Sequence, residues 1–129
     1  VELDHIMVDM QWRNPWSERL FIDPKINRVI ADAVHALPDL PSDMFRAVVH
    51  DPPAQAMAGE LYSESFYSQL ARVLAPDGKL VHYIGDPSSS ESGRLYKVIA
   101  HRLLNAGFSR VQEAPGAFGL TAYASKSNR

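Results

Sequence analysis

Two short apolar runs, each stopped by residues that cannot continue a strand, constrain this chain more than any other feature. Phe45-Arg46-Ala47-Val48-Val49-His50 runs into Asp51-Pro52-Pro53. Lys79-Leu80-Val81-His82-Tyr83-Ile84 lies between Pro76-Asp77-Gly78 and Gly85-Asp86-Pro87. β-Branched, apolar segments of this length with flanking Pro and Gly read as strands buried inside a mostly parallel sheet. Residues 26–30 (Ile-Asn-Arg-Val-Ile) are expected to form a weaker third strand that ends before Asp32.

The segments between and after these runs switch to a helical period. Within residues 63–74, Phe66, Tyr67, Leu70, Val73 and Leu74 recur at helical spacing, with Ser63 as N-cap and Ala75-Pro76 as a stop. Within residues 92–106, Leu95, Val98, Ile99, Leu103 and Leu104 form one stripe, closed by Gly107. Two short tail strands, near 110–113 and 119–124, form an edge hairpin. Strand, helix, strand, helix gives right-handed parallel units, hence a mostly parallel α/β sheet with helices on both faces, ending in an antiparallel hairpin. One domain over residues 1–124 with a frayed tail at 125–129 is expected. Ligands of such sheets bind beyond the carboxyl ends of the strands, which puts Asp32, Asp51 and Gly85-Asp86 on one rim.

Composition removes several classes of function. The chain has 129 residues and no cysteine, which excludes disulfides, thiolate catalysis and cysteine-ligated metal centres. Thirteen Lys and Arg against fifteen Asp and Glu argue against tight non-specific binding to a nucleic-acid backbone. No apolar run approaches the ~18 residues of a membrane span, and no secretory leader pattern opens the sequence. A cytoplasmic enzyme or binding domain is the expectation. No Gly-x-Ser-x-Gly elbow and no Gly-Lys-Ser/Thr step occur, so neither a serine hydrolase nor a P-loop kinase fits. His50 and His82 lack a third ligand at credible spacing and read as hydrogen-bonded core groups, so no metal is expected. Trp12 and Trp16 read as packing a helix onto the sheet.

The stretch from His50-Asp51-Pro52-Pro53 through Ala58-Gly59-Glu60-Leu61-Tyr62-Ser63-Glu64-Ser65-Phe66-Tyr67 to Arg72-Val73-Leu74-Ala75-Pro76-Asp77-Gly78 resembles class I S-adenosylmethionine-dependent methyltransferases, most of all a group of predicted archaeal ones. The likeness takes in Val1-Glu2-Leu3-Asp4, Asn14-Pro15-Trp16-Ser17, His82-Tyr83-Ile84-Gly85-Asp86-Pro87, Ala106-Gly107-Phe108 and Ala117-Phe118-Gly119. It implies a partial Rossmann-like, doubly wound α/β sheet, in which Glu2 holds the ribose of S-adenosyl-L-methionine, Asp32 with Ala33 meets the adenine, and Asp51, Pro52 and Pro53 face the methyl donor and the acceptor. Tyr62, Tyr83 and Asp86 are the expected substrate-side residues.

These residue types suit that chemistry. A carboxylate only accepts, so it can take both hydroxyl donors of a ribose. Two consecutive prolines remove two backbone donors and fix φ, so the Asp51 carboxylate and Pro52 carbonyl can form a rigid acceptor pair for an amine. Two departures matter. The family's first strand and its glycine-rich loop have no counterpart here, since no Gly-x-Gly occurs. The chain is therefore expected to be the carboxyl-terminal portion of a longer protein or a degenerate relative, with weak cofactor binding by itself. An unpaired sheet edge then favours strand exchange or homo-oligomers. The position after the proline pair is Ala54 where base-methylating relatives carry an aromatic, which removes about 1–3 kcal/mol of stacking for a nucleic-acid substrate, unless Tyr62 or Phe66 substitutes. The acceptor, small molecule or nucleic acid, is left open. The rivals are an aminopropyltransferase of the spermidine synthase type, which the same Leu61-Tyr62 and Asp51-Pro52 steps also resemble, and a non-catalytic binding module.

Overall fold

Every polar backbone group in a strand needs a partner, and the ladder that supplies it joins Phe45–His50 (β1), Leu74–Tyr83 (β2), Phe108–Ala114 (β3) and Gly119–Ala124 (β4). The computed structural model describes residues 1–85 and 90–125, with 90–92 as helix backbone only. The strands form one sheet in the order β1-β2-β4-β3. β1 and β2 run parallel, with His50 opposite His82, while β4 is antiparallel to both β2 and β3. The sheet is thus mixed: its parallel half is the pair expected from the two apolar runs, and the tail hairpin enters with β4 inward. Among the described residues β1 pairs only with β2, so its other edge carries no named strand.

β2 starts earlier than its sequence pattern suggests, because Leu74 already pairs with Phe45. The Pro76-Asp77-Gly78 step survives inside it as an irregularity. Asp77 is left-handed at φ 60°, and the register shifts between Phe45 and Ala47. The connecting helix Glu64–Val73 (labelled α4 below) begins where Ser63 Oγ accepts from Phe66 N at 3.1 Å. It buries Phe66, Tyr67, Leu70 and Val73. The longer helix Ser90–Asn105 (α5 below) buries Tyr96, Ile99 and Leu103 and ends at Gly107, whose φ of +96° a side chain would resist. With Leu74, Leu80, Leu120 and Ala122, these side chains make the core. Each large one contributes roughly 1.5–3 kcal/mol by leaving water.

The chain falls into two units, Val1–Asp39 and Leu40–Arg129. The first contains three helices, His5–Arg13 (α1), Arg19–Ile22 (α2) and Ala33–Ala36 (α3). The strand expected over residues 26–30 does not form. What exists there is one isolated parallel bridge between Glu2 and Ile30, made by Glu2 N to Val29 O at 2.9 Å and Ala31 N to Glu2 O at 3.0 Å. A single bridge lacks the cooperative ladder of a strand, and Asn27 and Arg28 offer no apolar face to bury. The tryptophans also depart from expectation. Trp16 is 93% exposed, and Trp12 is exposed with one edge against Phe21 at 4.8 Å. Asn14 Oδ1 accepts from Trp16 N at 3.1 Å and sets the local turn, so the indole of Trp16 projects outward.

Candidate functional site

The carboxyl end of β1 and the start of the next helix are tied together from below. Asp51, Pro52 and Pro53 leave the sheet just past the His50–His82 pair, and Asp51 is exposed there. Neither proline has an N–H, so the turn cannot be fastened by backbone donors of its own at those positions. The fastening comes from Tyr62, which is 2% exposed and whose hydroxyl donates to the Pro53 carbonyl at 2.9 Å. Tyr62 is itself held by Arg102 of α5, whose Nη1 donates to the Tyr62 carbonyl at 3.0 Å. With the Pro53 carbonyl bonded to Tyr62, the acceptors left at the turn include the exposed Asp51 carboxylate and the Pro52 carbonyl.

Beneath this turn lies a buried polar and aromatic cluster. His50 Nε2 donates to the Leu61 carbonyl at 2.9 Å, which fixes its tautomer, because a carbonyl only accepts. His82 Nε2 and the Tyr67 hydroxyl are 2.9 Å apart. The two imidazoles sit with centroids 4.5 Å apart, and the Tyr62 ring is 5.4 Å from that of His82. Burial, reinforced by the neighbouring His50, pushes the His82 imidazole down to about 3. Burial also lowers His50 against the opposing pull of its bond to Leu61 and of Asp51. Tyr62 and Tyr67 are both raised, chiefly by burial, so each keeps its proton at ordinary pH. All four groups are therefore neutral near pH 7, as the low-dielectric interior demands. His82 Nδ1 is buried without a hydrogen-bond partner. Both histidines are core groups, the bland expectation from sequence.

The expected substrate-side residues separate. Tyr83, at the carboxyl end of β2, is 45% exposed and stands at the same end of the sheet as Asp51. Tyr62 does not face outward. Its side chain is covered and its hydroxyl donates to the Pro53 carbonyl. Phe66, the other expected substitute for a stacking aromatic, is 6% exposed and equally covered. Asp86 lies outside the described residues.

One rim residue carried no local signal as a candidate. Phe118 is left-handed at φ 48°, 48% exposed, and its carbonyl accepts from both Ile84 N (2.9 Å) and Gly85 N (3.0 Å). The following Gly119 is obligatory, because a Cβ there would overlap the His82 carbonyl oxygen. Only the antiparallel seating of β4 on β2 brings Phe118 to this rim.

In the first unit, the bridge that joins Glu2 to Ile30 sets Glu2 beside the segment leading to Asp32. Glu2 Oε1 accepts from Asp4 N at 2.9 Å. Asp32 caps α3, with Oδ1 accepting from Val34 N at 2.9 Å, and its Oδ2 is 3.4 Å from His35 Nδ1. Ala33 is the first residue of α3. Each carboxylate thus has a local backbone partner, yet two oxygens with about four lone-pair sites leave capacity to accept from hydroxyl or amino donors. The same unit has an open groove of about 620 Å³ lined by residues of α1 with Phe21 and Arg28. The Arg28 guanidinium stacks over Phe21 at 4.0 Å.

No family model matches the chain. The uncharacterized protein MJ1233 of Methanocaldococcus jannaschii is 37% identical over 123 residues, which is 95% of this chain and 42% of that protein. Polyamine aminopropyltransferase 2 of Streptomyces coelicolor is 32% identical over 103 residues, 78% of this chain and 18% of that protein. The chain therefore spans less than half the length of these curated relatives. Among solved structures, spermidine synthase in complex with the transition-state analogue AdoDATO superposes with TM-score 0.73 at 19% identity, covering 99% of this chain and 46% of the other. The Thermus thermophilus protein TTHA0409, a putative DNA modification methylase complexed with S-adenosyl-L-methionine, gives TM-score 0.55 at 23% identity over 77% of this chain and 55% of the other. The chain has the α/β fold that methyltransferases and spermidine synthases share.

Proposed function

We propose that this chain is part of a transferase that moves a carbon group from the sulfonium of S-adenosyl-L-methionine, or a close derivative, to an amine, and that the group moved is methyl. One observation carries this reading: the 51–53 turn ends a parallel strand with an exposed carboxylate and two residues that have no N–H, so it offers acceptors and no backbone donors at Pro52 and Pro53. Such a surface suits an incoming amine, whose N–H groups it can hold while the lone pair points away. When bound, the sulfonium donor supplies an already activated carbon, which leaves the protein mainly orientation and electrostatics to provide. The Asp51 carboxylate would hold one N–H of the acceptor and stabilise the positive charge that grows on its nitrogen. The Pro52 carbonyl would hold a second N–H. Within the first unit taken by itself, Glu2 and Asp32 would be the acceptors for hydroxyl and amino donors of a nucleoside, each with the oxygen capacity left by its local backbone bond.

A second reading, aminopropyl transfer, is supported by the names of the Streptomyces and mycobacterial relatives and by the spermidine synthase superposition over nearly the whole chain. Against it, no second aspartate lies just before Asp51, where Val48, Val49 and His50 stand. A diamine acceptor carries two cations, and the described end of β1 presents one carboxylate. A cytoplasmic location and a homo-oligomeric or strand-exchanged state, through the edge of β1 that carries no named strand, belong to the same proposal.

The test uses the protein expressed from its natural reading frame at whatever length that encodes. Calorimetry compares S-adenosyl-L-methionine with its decarboxylated form, and each donor is then incubated with putrescine and with a panel of amines. Preferential binding of S-adenosyl-L-methionine with labelled methyl appearing on an amine supports the first reading. Turnover of putrescine with the decarboxylated donor replaces it with the second, and binding of neither donor removes both.

A further inference from the structure

We propose that Tyr62 is a positioning residue whose hydroxyl turns the Pro53 carbonyl inward and so fixes the orientation in which the 51–53 turn meets the acceptor. The inference rests on the reading that this turn receives an amine. Three carbonyls and one carboxylate crowd this short segment, and with no N–H on Pro52 or Pro53 the turn cannot sort them by its own donors there. The Tyr62 hydroxyl does the sorting: it takes the Pro53 carbonyl inward at 2.9 Å. Pro53 itself is exposed, so what the Tyr62 bond adds is direction: a side chain that is 2% exposed holds that carbonyl turned inward. The tyrosine is fixed at both ends. Its ring lies against His82, and its carbonyl accepts from Arg102 Nη1 at 3.0 Å. His50 holds the preceding carbonyl, that of Leu61, at 2.9 Å. A strand end, a loop nine residues later and a helix forty residues later therefore hold one peptide orientation at the rim.

A tyrosine that merely filled the core would need its ring and not its hydroxyl. The distinction can be measured without knowing the acceptor, using two analogues of the donor. Sinefungin replaces the methylated sulfonium with a carbon bearing an amine, which mimics the nitrogen that the turn is read as holding. S-Adenosylhomocysteine has no group there. In the protein of natural length, Tyr62→Phe is expected to weaken sinefungin about fivefold to tenfold, the worth of one well-aimed hydrogen bond, and to leave S-adenosylhomocysteine within about twofold. Arg102→Lys, which loosens Tyr62 from its backbone side and leaves the hydroxyl in place, is expected to lose the same selectivity and keeps the test available if Tyr62→Phe does not fold. Equal losses for both analogues, or no loss for either, would overturn the positioning role while leaving the transferase reading intact. A wild-type protein that binds neither analogue overturns that reading, and the positioning role with it.

Discussion

Acidification should destabilise this protein through His82 before most carboxylates titrate. His82 is fully covered, its Nε2 is paired with the Tyr67 hydroxyl, and burial with the nearby His50 pushes its imidazole down to about 3. In the unfolded chain the same group takes up its proton near 6.5. Between those values the unfolded state binds a proton that the native state refuses, so stability is complete above pH 7 and falls as the pH drops, levelling off only near 3. From the shift of His82 to about 3, the loss between pH 7 and pH 5 is about 2 kcal/mol. For a chain of this size that corresponds to a fall in Tm of roughly 6–10 °C. His50, lowered by the same burial, acts in the same direction. The assay is thermal or urea unfolding at half-unit steps over this window, in parallel on wild type and on His82→Leu/Tyr67→Phe, which removes both partners and so orphans neither. The double variant should lose about 2 kcal/mol less on going from pH 7 to pH 5. Parallel profiles for the two proteins would refute the reasoning, because they would mean that His82 meets water or carries its proton inside the fold.

Three further outcomes test other parts of the structure. Gly119→Ala should cost about 3 kcal/mol and loosen the β2–β4 pairing, since the new Cβ meets the His82 carbonyl, a rigid backbone group; urea midpoints measure it. Asp51→Asn should leave stability within about 0.5 kcal/mol because the side chain is exposed, yet slow transfer to an amine roughly 10- to 100-fold by removing a charged hydrogen bond, read by product formation at saturating donor. Asp32→Ala should cost about 1 kcal/mol through the lost cap to Val34 N, whereas Asp32→Asn keeps the cap; a fall in adenosine affinity in the Asn variant would then report ligand contact alone, and an unchanged affinity would leave Asp32 a cap and nothing more.

What the sequence by itself determined is local. The run from Phe45 to His50 is bounded by Met44 and the proline pair, and the strand has those ends because Pro cannot donate to a ladder and branched apolar residues favour extended backbone. Ser63 as a cap, Gly107 as a stop and the hairpin at the end of the chain follow from equally short-range chemistry. Residues 26–30 form no strand for the converse reason, since three apolar residues in a run of five say nothing about whether a neighbouring strand exists to complete a ladder. Tertiary structure alone decided the rest. Tyr62 and Tyr83 are the same residue type, yet one is covered, with its backbone carbonyl held by Arg102, and the other is left half in water. The bonds from Tyr62 to Pro53 and from Arg102 to Tyr62 join groups nine and forty residues apart, and Phe118 reaches the rim only through antiparallel pairing with β2. Sequence spacing fixes which side chains share a face; which of them water still reaches depends on what folds over that face.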